Sequence, residues 1–251
     1  MERRISPRGD TPCEGEQRER LAAFFLSSPP YDTLDAAGQE AYRQRLRQLG
    51  GLELTEIRQA AGSERPMTWG DIVPPLQGAA VAAQRLAAGM GQPILLFPAA
   101  NTAMPFFTLW QPRLLSTGVA ALLRAAVSAA PRQPVWVRLR EQASCLIVSA
   151  TAQQPIPGER EDPALGQILP ALREIARLHG GSLAICENTI GFSCARAAEP
   201  PAGASVGSFP YPSAESLLAD TLSPVRTGFF AFLPEMCGAA DEKEAEGPDE
   251  P

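Results

Sequence analysis

Histidine and paired cysteines are the scarcest reactive groups in this sequence. One histidine, His179, occurs among 251 residues, and the five cysteines form no CxxC pair. One histidine and five cysteines without a CxxC pair do not supply the ligand spacing of a common zinc site. The sequence also has no Walker-type glycine-rich loop and no GxSxG nucleophile motif. We therefore expect no metal, no resident cofactor and no catalytic residue of these classes.

Excess positive charge and long apolar runs are lacking as well. The net charge is −6, which argues against a nucleic-acid partner, because phosphates require a basic surface. The longest apolar run, around Val119 to Val127, contains Arg124 and is too short to span a bilayer. The first twenty residues have no apolar signal-peptide core. We expect a cytoplasmic protein with reduced thiols and no membrane contact.

Apolar periodicity and turn residues define a succession of helices and strands. Predicted helices run from Asp35 to about Ala61, from Thr68 or Asp71 to about Ala88, and from Pro112 to Ala130. Predicted strands are Pro93–Phe97, Val135–Leu139, Cys145–Ala150, Ser182–Cys186, Phe192–Ala197 and Arg226–Leu233, whereas Ala99–Trp110 is expected to be irregular. This order predicts an α+β fold, a mixed β-sheet covered on one face by helices.

The most specific stretch is LPALREIARLHGGSLAI, residues 169 to 185. Its apolar residues recur at helical spacing, and Gly180 and Gly181 end the helix immediately before a strand. We expect His179 to be structural, capping carbonyl groups at the end of the helix. This helix, corner and strand resemble the end of the ATP-binding domain of sensor histidine kinases, the GHKL ATPase fold.

Four other segments resemble the same family. Residues 54–85 are similar to the end of the dimerisation hairpin with its linker helix, and residues 112–131 to the helix that carries the N box. Residues 135–156 resemble the two strands before the DxGxG loop, and residues 191–193 a strand entry. The resemblance implies a two-layer sandwich preceded by a helical hairpin-like segment.

The resemblance, together with composition, divides the chain into five parts. These are a flexible arm (1–20), a helical dimerisation-like segment with a linker helix (21–88), an ATPase-like sandwich (89–200), a C-terminal extension with one candidate strand (201–237) and a disordered acidic tail (238–251). Leu46, Leu49 and Ile57 lie on one apolar stripe. They are the candidates for pairing with a second copy or with a histidine kinase in a four-helix bundle.

The resemblance also implies nucleotide-binding positions, and these are altered. The N-box asparagines correspond to Ala121 and Ala125, and an alanine methyl cannot ligate Mg²⁺. The DxGxG loop corresponds to Thr151, Gln153 and Pro155, and the phosphate loop keeps one of its two glycines, Gly166, with Ile168 at the position of the other. The family's phosphoacceptor histidine has no counterpart, because His179 lies in the glycine corner. The implied ATP site is therefore degenerate.

Three hypotheses follow. The first is a catalytically degenerate histidine kinase-like module of bacterial two-component signalling, a pseudokinase that acts through protein contacts. The second is a divergent GHKL protein, a sensor kinase or anti-sigma-like kinase, that binds Mg·ATP and phosphorylates a partner. The third is an unrelated α+β domain in which the HGG corner is accidental. Open space for an adenine between the loop Gln153–Gly166 and the helix that begins at Pro112 would favour the second hypothesis, whereas a Gln153 side chain that fills this space would oppose it.

Overall fold

The structure is a computed structural model that describes residues 14–59, 67–97, 105–197, 199–200, 205–206 and 211–233. Its helices are α1 (Glu14–Ser27), α2 (Ala36–Gln59), α3 (Val73–Ala88), α4 (Pro112–Ala129), α5 (Leu165–Leu178), α6 (Ala214–Ala219) and α7 (Pro224–Gly228). Its strands are β1 (Thr68–Asp71), β2 (Ile94–Phe97), β3 (Phe107–Trp110), β4 (Val135–Glu141), β5 (Cys145–Thr151), β6 (Leu183–Cys186), β7 (Thr189–Ala195) and β8 (Ser205–Val206). No helix in these ranges is both long enough and apolar enough to cross a membrane.

The main sheet has five strands in the order β2-β4-β5-β7-β6. β2 runs parallel to β4, and the other pairs are antiparallel. Alternate residues of β4, β5 and β7, such as Val137, Val148 and Phe192, are buried in one core with α4 and α5. Neighbours on the other face, such as Trp136, Ile147 and Ser193, are partly exposed. This arrangement confirms the predicted mixed sheet that helices cover on one face.

A smaller sheet has the order β3-β1-β8, with β1 antiparallel to β3 and parallel to β8. The Asp71 carboxylate accepts hydrogen bonds from the backbone N–H groups of Val73 and Phe106, both at 3.0 Å. It thus satisfies the first backbone N–H group of α3 and holds the chain that enters β3. Because it pairs with β3 and β8, the segment from Thr68 to Asp71 is a strand, and the prediction that a helix starts there is wrong. Part of the stretch expected to be irregular, Phe107–Trp110, is a strand as well.

The two ends of the described chain pack against each other. Phe25 of α1 and Tyr42, Leu46 and Leu49 of α2 share a buried cluster with Phe230. The segment predicted as a strand from Arg226 to Leu233 is instead α7 followed by a short 3-10 helix, Phe230–Phe232. Pro224 in the first turn of α7 has the backbone φ of a helix already built in, and so favours the helix.

The N-terminal prediction also needs correction. Residues 14–27, part of which was assigned to a flexible arm, form α1. The rest of that arm, 1–13, and the acidic tail, 238–251, lie outside the described residues. The extension contributes the strand Ser205–Val206 in place of the predicted one. The five-part division of the chain itself stays a prediction.

α2 is one continuous helix through Gly50 and Gly51 and packs inside the chain. Leu46, Leu49 and Ile57 are buried there, the first two against the C-terminal residues and Ile57 in the main core. The prediction that these three side chains face a partner does not fit this packing, because α2 packs on α5 and α7. Whether the chain forms dimers stays a prediction.

Candidate nucleotide groove between α4 and α5

The corner after α5 is built from backbone hydrogen bonds. Gly180 N–H donates to the Arg177 carbonyl at 3.0 Å, and Gly181 N–H donates to the Ala176 carbonyl at 2.9 Å. This pair is a Schellman motif, and Gly180 has the required positive φ of 70°. A Cβ on Gly181 would lie 1.9 Å from the Ser193 carbonyl oxygen. The corner therefore needs glycine at both positions and sets how closely α5 joins β7.

His179 is 2 % exposed and bonds within its own helix. Its Nδ1 lies 2.6 Å from the Ile175 carbonyl oxygen, so Nδ1 carries the proton and donates. Its Nε2 is buried with no hydrogen-bond partner in the described structure. Burial lowers the pKa of His179, and the bond to Ile175 only partly opposes this. The side chain is a neutral, inaccessible imidazole, which fits the structural role and offers no nucleophile.

The two N-box equivalents lie on α4, and both alanines are buried. Ala121 and Ile168 line one small cavity together with Gly50, Glu53 and Leu54 of α2 and Gly228 of α7. This cavity encloses about 10 Å³, which is about the space of one water molecule. α2 and α7 thus occupy the groove between α4 and α5 at this point. An adenine ring does not fit beside Ala121 unless α2 moves.

A partly buried ion pair fixes α2 across α4, with Glu53 buried and Arg113 partly exposed. Arg113 Nε donates to Glu53 Oε1 at 2.6 Å, and the Thr117 hydroxyl donates to the same oxygen at 3.3 Å. Arg113 also donates to the Leu222 carbonyl oxygen at 3.2 Å. Glu53 is 8 % exposed, so these donors take the place of water around its carboxylate. Glu53 and Arg113 together thereby join α2, α4 and the segment before α7.

The equivalents of the DxGxG loop lie apart from this groove. Thr151 follows the strand alternation onto the exposed face of the sheet, where its hydroxyl lies 3.0 Å from the Thr189 hydroxyl. Gln153 and Pro155 are exposed. Between and beyond them, the N–H groups of Ala152 and Ile156 bond to the turn between β6 and β7. The loop is fastened to that turn, and Thr151 faces away from α4.

Gly166 lies in the first turn of α5, at the end of a short connection. A Cβ on Gly166 would be 3.8 Å from the nearest atom, the Glu159 carbonyl oxygen, so no contact there requires glycine. Glu159 also forms an ion pair with Arg173 at 2.8 Å, which ties the connection to α5. The seven implied nucleotide positions thus lie on α4, on β5 and the loop that follows it, and on α5, and the structure brings Ala121 and Ile168 together in one cavity.

Sequence reasoning missed Glu53 and Arg113. The available signal was an acidic residue on the apolar stripe of α2, since a carboxylate at a buried position needs a cationic partner. The described part of the chain holds no group of three His, Cys, Asp or Glu side chains placed to bind a metal ion.

Similarity to known proteins is found among solved structures. No family model matches the sequence. No curated protein matches it either. The ATP-binding domain of PrrB from Mycobacterium tuberculosis is 18 % identical and has a TM-score of 0.43, covering 53 % of this chain and all of that domain. Histidine kinase AdeS from Acinetobacter baumannii is 12 % identical and has a TM-score of 0.48, and the alignment covers 74 % of this chain and 95 % of AdeS.

A third similar structure is histidine kinase ThkA in complex with the response regulator TrrA. It is 14 % identical with a TM-score of 0.48, and the alignment covers 73 % of this chain and 59 % of that one. At these values the similarity concerns backbone arrangement and assigns no activity, ligand or partner. Histidine kinase domains are what the fold of this chain is similar to.

Proposed function

We propose that this chain is a histidine kinase-like signalling module that acts through protein contacts and has lost nucleotide binding. The observation that carries this proposal is the groove between α4 and α5. α2 and α7 close it to about 10 Å³ around Ala121 and Ile168. A nucleotide would have to displace a helix that is held by the Glu53–Arg113 ion pair.

The single histidine supports the same proposal. Autophosphorylation in the family needs an exposed histidine as nucleophile. His179 is buried and bonded to its own helix. The chain therefore lacks a phosphoacceptor histidine of that kind, and the proposed role is a binding role without phosphotransfer.

The proposed partner is another cytoplasmic signalling protein, either a second copy of this chain or a histidine kinase. Since Leu46, Leu49 and Ile57 are buried in the chain, such contacts would use other surfaces. Sedimentation equilibrium of the purified chain across micromolar to 100-micromolar concentration tests the first option. A monomer throughout would exclude the homodimer and leave the mixed complex.

Calorimetric titration with Mg·ATP and with ADP tests the loss of nucleotide binding. We expect no heat at millimolar nucleotide and no thermal shift, while an authentic histidine kinase catalytic domain responds under the same conditions. A ligand at 100 times its dissociation constant would add about 2.7 kcal/mol of stability. This corresponds to roughly 5–10 °C in Tm for a chain of this size. Micromolar binding would refute the proposal and favour the kinase hypothesis, and transfer of labelled phosphate to a partner would then be measured.

A further inference from the structure

A second, much larger cavity lies where the two ends of the chain meet. It has a volume of about 670 Å³, within the range of small-molecule sites, and it lies between α2, α3, α7 and the connection after α1. Its lining differs from that of the closed groove, because it combines aromatic side chains with arginines.

The aromatic part of the wall is already organised by ring contacts. Tyr42 packs edge-on against Phe25 and Tyr31, with centroid distances of 4.9 and 5.6 Å. Tyr31 in turn packs edge-on against Phe230 at 5.2 Å. All four side chains line the cavity. A further planar ring could join this set by the same edge-to-face geometry.

The charged part of the wall is cationic. Three arginines line the cavity, Arg43, Arg85 and Arg226, and among the described lining residues Asp32 is the acidic one. Arg43 is paired with Glu40 at 2.6 Å, and Arg85 with Glu215 at 2.9 Å. The guanidinium of Arg226 donates from Nε and Nη2 to the Leu218 carbonyl oxygen and meets no carboxylate of the described chain.

Tyr42 and Arg226 lie near each other in the wall of this cavity. Tyr42 is 2 % exposed as a residue, and its ring is fixed by its contacts with Phe25 and Tyr31. Burial raises the pKa of Tyr42, and the nearby Arg226 charge opposes that rise in part. At neutral pH the hydroxyl is therefore a protonated donor beside an arginine that has no carboxylate partner.

We propose that this cavity binds a small aromatic carboxylate. The carboxylate accepts hydrogen bonds from the Tyr42 hydroxyl and the Arg226 guanidinium, and the ring packs among Phe25, Tyr31 and Phe230. Charge-assisted bonds from arginine to carboxylate are among the strongest available in proteins. Such a ligand bridges α2 and α7, the two elements that close the groove beside Ala121.

Calorimetric titration of the full chain with benzoate tests this proposal. Benzamide serves as an uncharged analogue of the same shape, and acetate as a carboxylate without a ring. We expect saturable benzoate binding and weaker binding of both analogues. Tyr42→Phe keeps the ring and removes the hydroxyl, and Arg226→Gln removes the charge. Each should weaken benzoate at least about tenfold, since bonds to charged groups contribute about 1.5–3 kcal/mol.

Arg173→Gln is the matched control, because Arg173 is an exposed arginine on α5 outside this cavity and should leave benzoate affinity unchanged. Thermal melts establish that each variant is folded before titration. Equal affinity in the Tyr42→Phe and Arg226→Gln variants would overturn the proposed site. Acetate binding as tightly as benzoate would overturn the aromatic class, and no benzoate binding at 10 mM to the wild-type chain would overturn the proposal as a whole.

Discussion

The two adjacent glycines of α2 give a sharp test of the packing that closes the groove. Both lie inside a continuous helix, where glycine costs about 1 kcal/mol relative to alanine. A Cβ on Gly51 would meet no atom within 4 Å, whereas a Cβ on Gly50 would lie 2.5 Å from the Thr227 carbonyl oxygen of α7. Since real Cβ contacts stay beyond 3.0 Å, α2 and α7 must separate by at least about 0.5 Å in the Gly50→Ala variant.

The expected outcomes of the two substitutions have opposite directions. Gly51→Ala should stabilise the protein by up to about 1 kcal/mol through helix propensity alone. Gly50→Ala gains the same propensity but pays for overpacking against backbone, about 1–3 kcal/mol. The difference between them is then about 1–3 kcal/mol, or roughly 2–12 °C in Tm for a chain of this length.

Calorimetric melts and urea titrations of the two variants, measured side by side, give this difference directly. The two single-alanine variants share composition and charge, so each serves as the control for the other. If Gly50→Ala proves as stable as Gly51→Ala, α7 does not lie against α2 as described. The groove beside Ala121 would then be open to a nucleotide.

Three further outcomes follow from buried charges and thiols. Arg113→Met leaves the Glu53 carboxylate buried without its cation and should cost about 1–3 kcal/mol in urea unfolding, part of which Glu53→Gln should restore in the double variant. Burial lowers the pKa of His179 in the folded state below the ordinary 6.5, so the unfolded chain binds the extra proton and stability falls as pH drops through 6.5. The loss should reach up to about 1 kcal/mol between pH 7 and 5.5, and a slope that persists in His179→Gln would contradict this origin. Burial raises the pKa of Cys194 to about 12, whereas Cys186 is exposed. Peptide-level mass spectrometry after thiol labelling at pH 8 should therefore find Cys186 modified in the folded chain and Cys194 modified only on unfolding.

The centre of the chain could be predicted from sequence because its signals are local. The alternation of apolar residues in β5 and β7, the apolar stripe of α5 and the glycine corner at Gly180 can each be read from a short segment of sequence. These short segments were sufficient to predict the mixed sheet and the helices that cover it. The position of α4 was equally clear, since Pro112 marks its start and its apolar residues run without interruption.

The two ends of the chain could not be predicted in this way. The apolar run from Phe229 to Leu233 is compatible with a strand or with a buried helical turn, and periodicity alone does not separate them. Tertiary packing against Leu46 and Leu49 selects the helical form. The same contact removes those two leucines from the surface, so the error about the C-terminus and the error about the pairing face have one cause.

The closure of the groove joins residues that are far apart along the chain. Gly50 of α2 meets Thr227 of α7, with the whole main sheet lying between them in sequence. Contacts of such long range form late and slow folding, because the intervening loop must be ordered first. During synthesis the N-terminal part of the chain emerges first, and α2 must wait for α7 before its packing is complete. A chain that ends before Pro224 would therefore expose the apolar side of α4 and α2 to solvent, and it would be prone to aggregate even though every strand of its main sheet is present.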